Sequence, residues 1–251
     1  MEFVHKVSKG SRFNQIYVPK EMELVFEVGD LVEVKLLKKS MSLFLTGEVE
    51  LSEFKENLIR DVFSFLGKFK EVKCAFFFGS FLTKKIEYND IDLLIVTEKK
   101  SFDKIVYKEI IDKFNLKFHV ISIPEEKFLE LGEICPLTRS MLSQSVSNKK
   151  FKIPKKRIDK EHIEFLLMMP EDLMKIKTNS RVFYDNIRRL MVIERFLDYK
   201  EESQEDAEKE MTKSLGRISE KIKNNKEISE KEVEDIRKVI KNKLNRIRKK
   251  I

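Results

Sequence analysis

Two carboxylates set two residues apart in an apolar, strand-like segment are the groups in this chain best placed to do chemistry. Asp90 and Asp92 open the run Asp90-Ile91-Asp92-Leu93-Leu94-Ile95-Val96, and nine residues separate them from Gly79-Ser80, which ends the apolar run Val72–Phe78. Side chains alternate across a strand, so both acids project to one face. Carboxylates that close repel and raise one pKa unless a cation lies between them. A Mg²⁺ ion bound by the carboxylates and by triphosphate oxygens relieves that repulsion. Upstream, Gly79 lets the backbone approach a phosphate closely, and N–H groups at the start of a following helix favour an anion. Ser80 adds a hydroxyl donor, and Lys84 and Lys85, one turn on, neutralise phosphate charge. The plainer alternative is a polar turn before an edge strand with exposed acids.

The flanking pattern supplies elements to hold these residues. Ser52 is suited to cap a helix whose apolar positions Phe54, Leu58, Ile59, Val62, Phe65 and Leu66 recur at helical spacing before Gly67. Val72–Phe78 and Asp90–Val96 are of the length and apolarity of central strands. Ser101 is expected to cap a helix ending near Phe114. Lys117–Ile123 forms a third strand, and helices follow over Glu125–Leu131 and from Leu137 to about Val146. After Pro154 the chain reads as helical throughout. Its apolar stripes are Ile163/Phe165/Leu166/Leu167, then Val182 through Phe196, then Met211/Leu215/Ile218/Ile222, and finally Val233 through Ile251 at nearly heptad spacing.

The strand–Gly-Ser–spacer–Asp-x-Asp–strand order resembles the DNA polymerase beta-like nucleotidyltransferase superfamily, its minimal branch in particular, over roughly Ser52 to Val146. The resemblance implies a Mg²⁺-dependent transfer of a nucleotide group, most simply AMP from ATP, to an acceptor. It assigns metal binding and catalysis to Asp90 and Asp92 and phosphate contact to Gly79, Ser80, Lys84 and Lys85. The sequence departs from the family on the next strand, where a third carboxylate is usual and His119 stands instead. His119 admits two readings, a metal or nucleotide contact and a partly buried strand histidine. Without a third acid, the base for the attacking hydroxyl is undefined.

The first residues carry a second resemblance. Val7-Ser8-Lys9-Gly10, Ile16-Tyr17-Val18-Pro19-Lys20-Glu21 and Val28-Gly29-Asp30-Leu31-Val32 are similar to the AbrB-like swapped-hairpin domain over about residues 3–37. That domain is a dimer of interleaved hairpins because one copy is too small to close a core. The likeness implies a homodimer and DNA contact through Lys9, Arg12 and Lys20. A hairpin module that only dimerises is the alternative. The helix from Arg237 to Lys250 is strongly basic, but it lacks interleaved aromatic residues for base stacking and is better read as a solvated face. Arg157 and His162 meet the bare spacing of a ribonuclease motif found in helical partners of such transferases, without matching context, and no nuclease is expected.

Composition sets the frame. The 251 residues are 41% hydrophobic and 37% charged, enough apolar content for a core and enough charge for long solvated helices. A net charge of +8 permits weak attraction to nucleic acid or nucleotide. Abundant Lys and Glu with no Trp also suit a chain adapted to heat or encoded by an AT-rich genome. Two cysteines, Cys74 and Cys135, stand far apart, so a Cys-type zinc site is excluded and Cys74 reads as a small core residue. No apolar run approaches the ~20 residues that span a bilayer, and a cytoplasmic protein without membrane contact is expected. The expected fold is α+β: a swapped-hairpin module over 1–49, a mixed-sheet nucleotidyltransferase domain over 50–150 and a helical bundle over 151–251. The competing function is a DNA-binding, antitoxin-like transcriptional regulator whose transferase domain has become a nucleotide sensor.

Overall fold

A computed structural model describes residues 3–35, 41–84, 88, 90–98, 103–176 and 178–251. The fold is α+β, with a five-stranded mixed sheet, a small antiparallel hairpin and a helical C-terminal half. It divides into two units, Met1–Ser40 and Met41–Ile251. The first module was expected to run to residue 49, but the boundary falls earlier because the short strand Phe44–Thr46 joins the large sheet.

In the first unit, β1 (Ser8–Lys9) pairs antiparallel with β2 (Asn14–Gln15), and Pro19 opens one 3-10 turn, Lys20–Met22. Residues 3–7 and 31–35 form no strand. Apolar side chains are left in solvent: Leu24 is 96% exposed, and Val28 and Leu31 are fully exposed. Phe3 and Phe26 form an edge-to-face pair within the unit.

In the second unit the sheet order is β3 (Phe44–Thr46), β7 (Ser145–Ser147), β4 (Val72–Phe78), β5 (Ile91–Thr97) and β6 (Phe118–Pro124). All neighbours are antiparallel except β5 and β6, which are parallel. Helix α1 (Glu53–Leu66) precedes β4, α2 (Asp103–Phe114) crosses from β5 to β6, and α3 (Glu125–Ile134) and α4 (Pro136–Leu142) lead to β7. The helix expected to continue to Val146 therefore ends at Leu142, and Ser145-Val146-Ser147 is an inner strand instead. Ser145 and Ser147 tolerate burial there because their hydroxyls bond to the carbonyls of Leu142 and Lys149.

The two sheet faces have separate cores. Phe77, Leu93 and Ile95 pack with Leu58, Ile59 and Val62 of α1. Phe76, Phe78, Leu94 and Val96 pack with Phe128 of α3 and Leu142 of α4. Cys74 borders this second core, free and partly buried, and burial lifts its thiol to about 11.

The C-terminal bundle comprises α5 (Lys160–Asp172), α6 (Ser180–Leu197), α7 (Gln204–Leu215), α8 (Arg217–Lys223) and α9 (Glu230–Arg248). The stripe expected as one helix over Met211–Ile222 is broken at Gly216, whose φ of +56° leaves the helical region. Helix α6 lies at the centre, with Ile187, Leu190, Met191 and Phe196 buried among Ile163, Met211, Ile222, Ile236 and Ile240. Much of the basic C-terminal run serves this packing: Lys243 pairs with the buried Glu194, Arg248 with Glu171 and Lys250 with Asp198, and Arg237 donates to the Leu173 and Ile176 carbonyls. Among the described residues no helix is long and apolar enough to cross a membrane.

A desolvated ion cluster joins α4 to the bundle. Glu202, 6% exposed at its side chain, takes ion pairs from Arg139 and Lys156, and Arg139 also donates to the Gly132 and Pro154 carbonyls at 2.7 and 2.8 Å. Removing one member strands buried charge, which costs roughly 3–5 kcal/mol. Glu202→Ala is therefore expected to lower stability by about that amount in denaturant unfolding, well beyond the effect of Glu205→Ala at an exposed pair on α7.

Candidate active site

The end of β4, the start of β5 and the start of β6 meet at one edge of the sheet. Register places Phe78 opposite Asp92, and Asp92 opposite His119. Cross-strand partners share a face, so Asp92 and His119 lie on the side carrying Phe76 and Phe78, toward α3 and α4. Asp90 lies one residue before β5, close enough for its charge to act on Asp92.

Gly79 carries the local geometry. Its φ is +77°, and a Cβ there would overlap the Asp92 Oδ2 atom. Only glycine meets both demands, so backbone and carboxylate approach more closely than a side chain allows. The helix expected to begin here is one 3-10 turn, Gly79–Leu82. Thr83 closes it, its N–H and hydroxyl both donating to the Ser80 carbonyl at 3.2 and 2.8 Å. Ser80 itself is exposed.

Asp92 is 20% exposed at its side chain, whereas His119 is 60% exposed. His119 Nδ1 lies 3.0 Å from Asp92 Oδ1. An ionised carboxylate only accepts, so Nδ1 carries the proton and Nε2 is left as the basic nitrogen. Burial raises the Asp92 pKa above the ordinary carboxylate range, and the charge of Asp90 adds to the rise. The His119 hydrogen bond and the positive charge of Arg188 oppose it. Arg188 lies on α6, with its guanidinium over the Tyr184 ring at 5.7 Å, so the charge that opposes the rise comes from the helical bundle. Nothing in the sequence singles out Arg188. It sits in an amphipathic helix beside Arg189, and its relation to Asp92 depends on how that helix packs.

The structure thus brings Gly79, Asp92 and His119 together, with Asp90 close enough for its charge to act on Asp92. Lys84 turns elsewhere and pairs with Glu50 at 3.1 Å, and Lys85 lies outside the described residues. Arg157 and His162 are engaged in local structure: Arg157 pairs with Glu133 and Asp159, and the His162 N–H is capped by Asp159 at 2.9 Å. Lys9, Arg12 and Lys20 are exposed in the first unit.

Among the described residues no three His, Cys, Asp or Glu side chains form a ready metal cluster. The donor set nonetheless fits Mg²⁺, which commonly takes one or two carboxylates and completes its shell with water and substrate phosphates. Asp90 and Asp92 are the donors of that type. His119 is bonded to Asp92 through Nδ1, which leaves only Nε2 for a further contact. No protein-family model matches the chain, and no curated protein matches it.

Asp92 has a folded pKa above its unfolded value, so it binds a proton more readily when folded. Its contribution is complete below the unfolded pKa and is lost as pH rises through the folded one. At neutral pH the ionised side chain is a liability in the absence of ligand. Asp92→Asn keeps an oxygen acceptor for His119 and is expected to raise the thermal midpoint of the ligand-free protein at pH 7. At a pH below the Asp range the gain should vanish. A lower midpoint at neutral pH would contradict the desolvation argument.

Proposed function

We propose that the chain is a Mg²⁺-dependent nucleotidyltransferase that moves a nucleotide group, most simply AMP from ATP, onto an acceptor hydroxyl. The observation that carries this reading is the close approach of Gly79 to Asp92 beside a second acid. A glycine-only turn, an exposed serine hydroxyl and paired carboxylates at one sheet edge suit a metal–triphosphate and have little structural use.

In this reading Gly79 and Ser80 present backbone N–H groups and a hydroxyl to the phosphates. Asp90 and Asp92 hold the metal, which when bound neutralises phosphate charge. Arg188 adds a positive charge from the bundle side, and Lys84 and Lys85 contribute to the surrounding field. The acceptor oxygen forms a bond to the α-phosphorus, and the bond from that phosphorus to the bridging oxygen breaks. The electron pair leaves with pyrophosphate. The hydroxyl proton passes to Nε2 of His119, which Asp92 orients, and then to water. His119 thereby takes the place of the third carboxylate. Catalysis is mainly positioning and electrostatic stabilisation.

The first unit supports a homodimer. Its exposed Leu24, Val28 and Leu31 are the surface that a second, interleaved copy would cover, and forty residues cannot close a core alone. Lys9, Arg12 and Lys20 are then available to DNA, the contact that a regulator would use. The protein is read as cytoplasmic, where ATP is abundant.

Incubation with α-labelled ATP, Mg²⁺ and cell extract should label an acceptor, and Asp90→Asn/Asp92→Asn should abolish it. His119→Ala should lower kcat by about 10²-fold, a typical general-base contribution. Transfer that survives the double variant removes the assignment. For the first unit, light scattering should show a dimer that Val28→Asp/Leu31→Asp converts to monomer. Tight, dimeric and steeply salt-dependent binding to the protein's own promoter, lost on changing Lys9, Arg12 and Lys20, would instead favour the regulator.

A further inference from the structure

Lys55 is an anomaly in its helix. It lies in the first turn of α1 between Phe54 and Glu56, where a lysine ordinarily reaches into water, yet it is 7% exposed. Burial of an ammonium is unfavourable unless fixed partners replace its hydration. Here Nζ donates to the Thr83 carbonyl at 2.7 Å, and it lies 5.4 Å from the Phe81 ring centroid and 5.6 Å from that of Tyr88. Phe81 and Tyr88 are themselves an edge-to-face pair at 5.0 Å. The desolvated ammonium has its pKa lowered by burial.

These contacts form a chain that ends at the phosphate-facing residue. Lys55 holds the carbonyl of Thr83, and Thr83 holds the carbonyl of Ser80 through both its N–H and its hydroxyl. Through the rings, the same ammonium touches Phe81 inside the turn and Tyr88, two residues before Asp90. Both arms of the candidate site, the Gly79–Ser80 turn and the approach to the paired acids, are therefore fastened to one cation. The fastening comes from the α1 side of the sheet, while Asp92 faces α3 and α4. Lys55 thus sits behind the turn and not among the reacting groups.

We propose that Lys55 is a positioning residue of the nucleotide site, which fastens the Gly79–Ser80 turn and the Tyr88 approach to helix α1 so that the turn is shaped for phosphate before nucleotide arrives. The proposal rests on the nucleotidyl-transfer reading for its function and on the contacts above for its geometry. A neutral side chain of similar length loses the charge-assisted bond and leaves the Thr83 carbonyl and the rings without their shared partner, while the α1 core positions Leu58, Ile59 and Val62 stay in place. A guanidinium can reach the same carbonyl and stack on the same rings.

The test compares wild type, Lys55→Met and Lys55→Arg by amide hydrogen exchange of the ligand-free full chain and by transfer kinetics with Mg·ATP. In Lys55→Met, exchange is expected to speed up about tenfold at residues 80–84, the size of one lost charge-assisted hydrogen bond, with α6 and α9 unchanged. KM for ATP should rise by a similar factor with kcat altered much less, and Lys55→Arg should restore both. Unchanged exchange at residues 80–84, or a speed-up spread equally over β4, β5 and α1, overturns the proposal, since the second pattern marks a lysine that only supports the fold. If Lys55→Met does not fold, Lys55→Gln is read in the same way. The two ideas separate: absence of transfer in wild type defeats the enzyme reading, whereas exchange in the turn alone decides whether Lys55 fastens it.

Discussion

A carboxylate pressed into a sheet against a glycine is the constraint around which the candidate site is organised. Asp92 is mostly buried, its pKa is raised by that burial, and its Oδ2 atom occupies the space that any side chain at residue 79 would need. Such a placement opposes folding at neutral pH and persists only because surrounding structure over-determines it. The antiparallel β4–β5 register sets Asp92 across from Phe78, and the parallel β5–β6 register sets His119 beside it. A parallel neighbour requires a crossover, which is what α2 provides between β5 and β6. Slipping β5 by one residue would turn Asp92 into the apolar core under α1, and slipping β6 would turn His119 away from it.

Two layers of cations then act on this edge from opposite sides. Arg188 comes from the bundle and favours the ionised form of Asp92. Lys55 comes from α1 and grips the turn from behind. The bundle in turn is joined to α4 by the Glu202–Arg139–Lys156 cluster and by the apolar contacts of Cys135 and Leu137. The bundle's own basic C-terminus is largely consumed by intramolecular pairs.

How much of this was legible in the sequence follows from what each residue depends on. The bounds of β4 were readable because a continuous apolar run between a charged stretch and Gly79 has few other solutions, and the acids of β5 were readable because alternation is a local rule. The Ser52 cap and the end of α1 at Leu66 were readable for the same reason. Strand β7 was not, since Ser145-Val146-Ser147 is short, carries two hydroxyls and follows a helix without a strong stop. The break at Gly216 was hidden by an apolar stripe whose spacing runs on through it. Lys55 and Arg188 have ordinary helical contexts, and their roles exist only once α1 and α6 are docked. In the first unit only four of the described residues pair in strands, because the segments that carry its apolar side chains stay extended and exposed.

The Gly79–Ser80 turn and the Asp90/Asp92 pair, read together, are proposed to form a single metal–nucleotide site. Electron paramagnetic resonance of Mn²⁺, used in place of Mg²⁺, reads that site directly in the presence of a non-hydrolysable ATP analogue. Wild type should take up Mn²⁺ only with the nucleotide present, and both Asp92→Asn and Gly79→Ala, each folded by circular dichroism, should lose that uptake. Equal nucleotide-dependent Mn²⁺ binding in all three proteins would contradict the account.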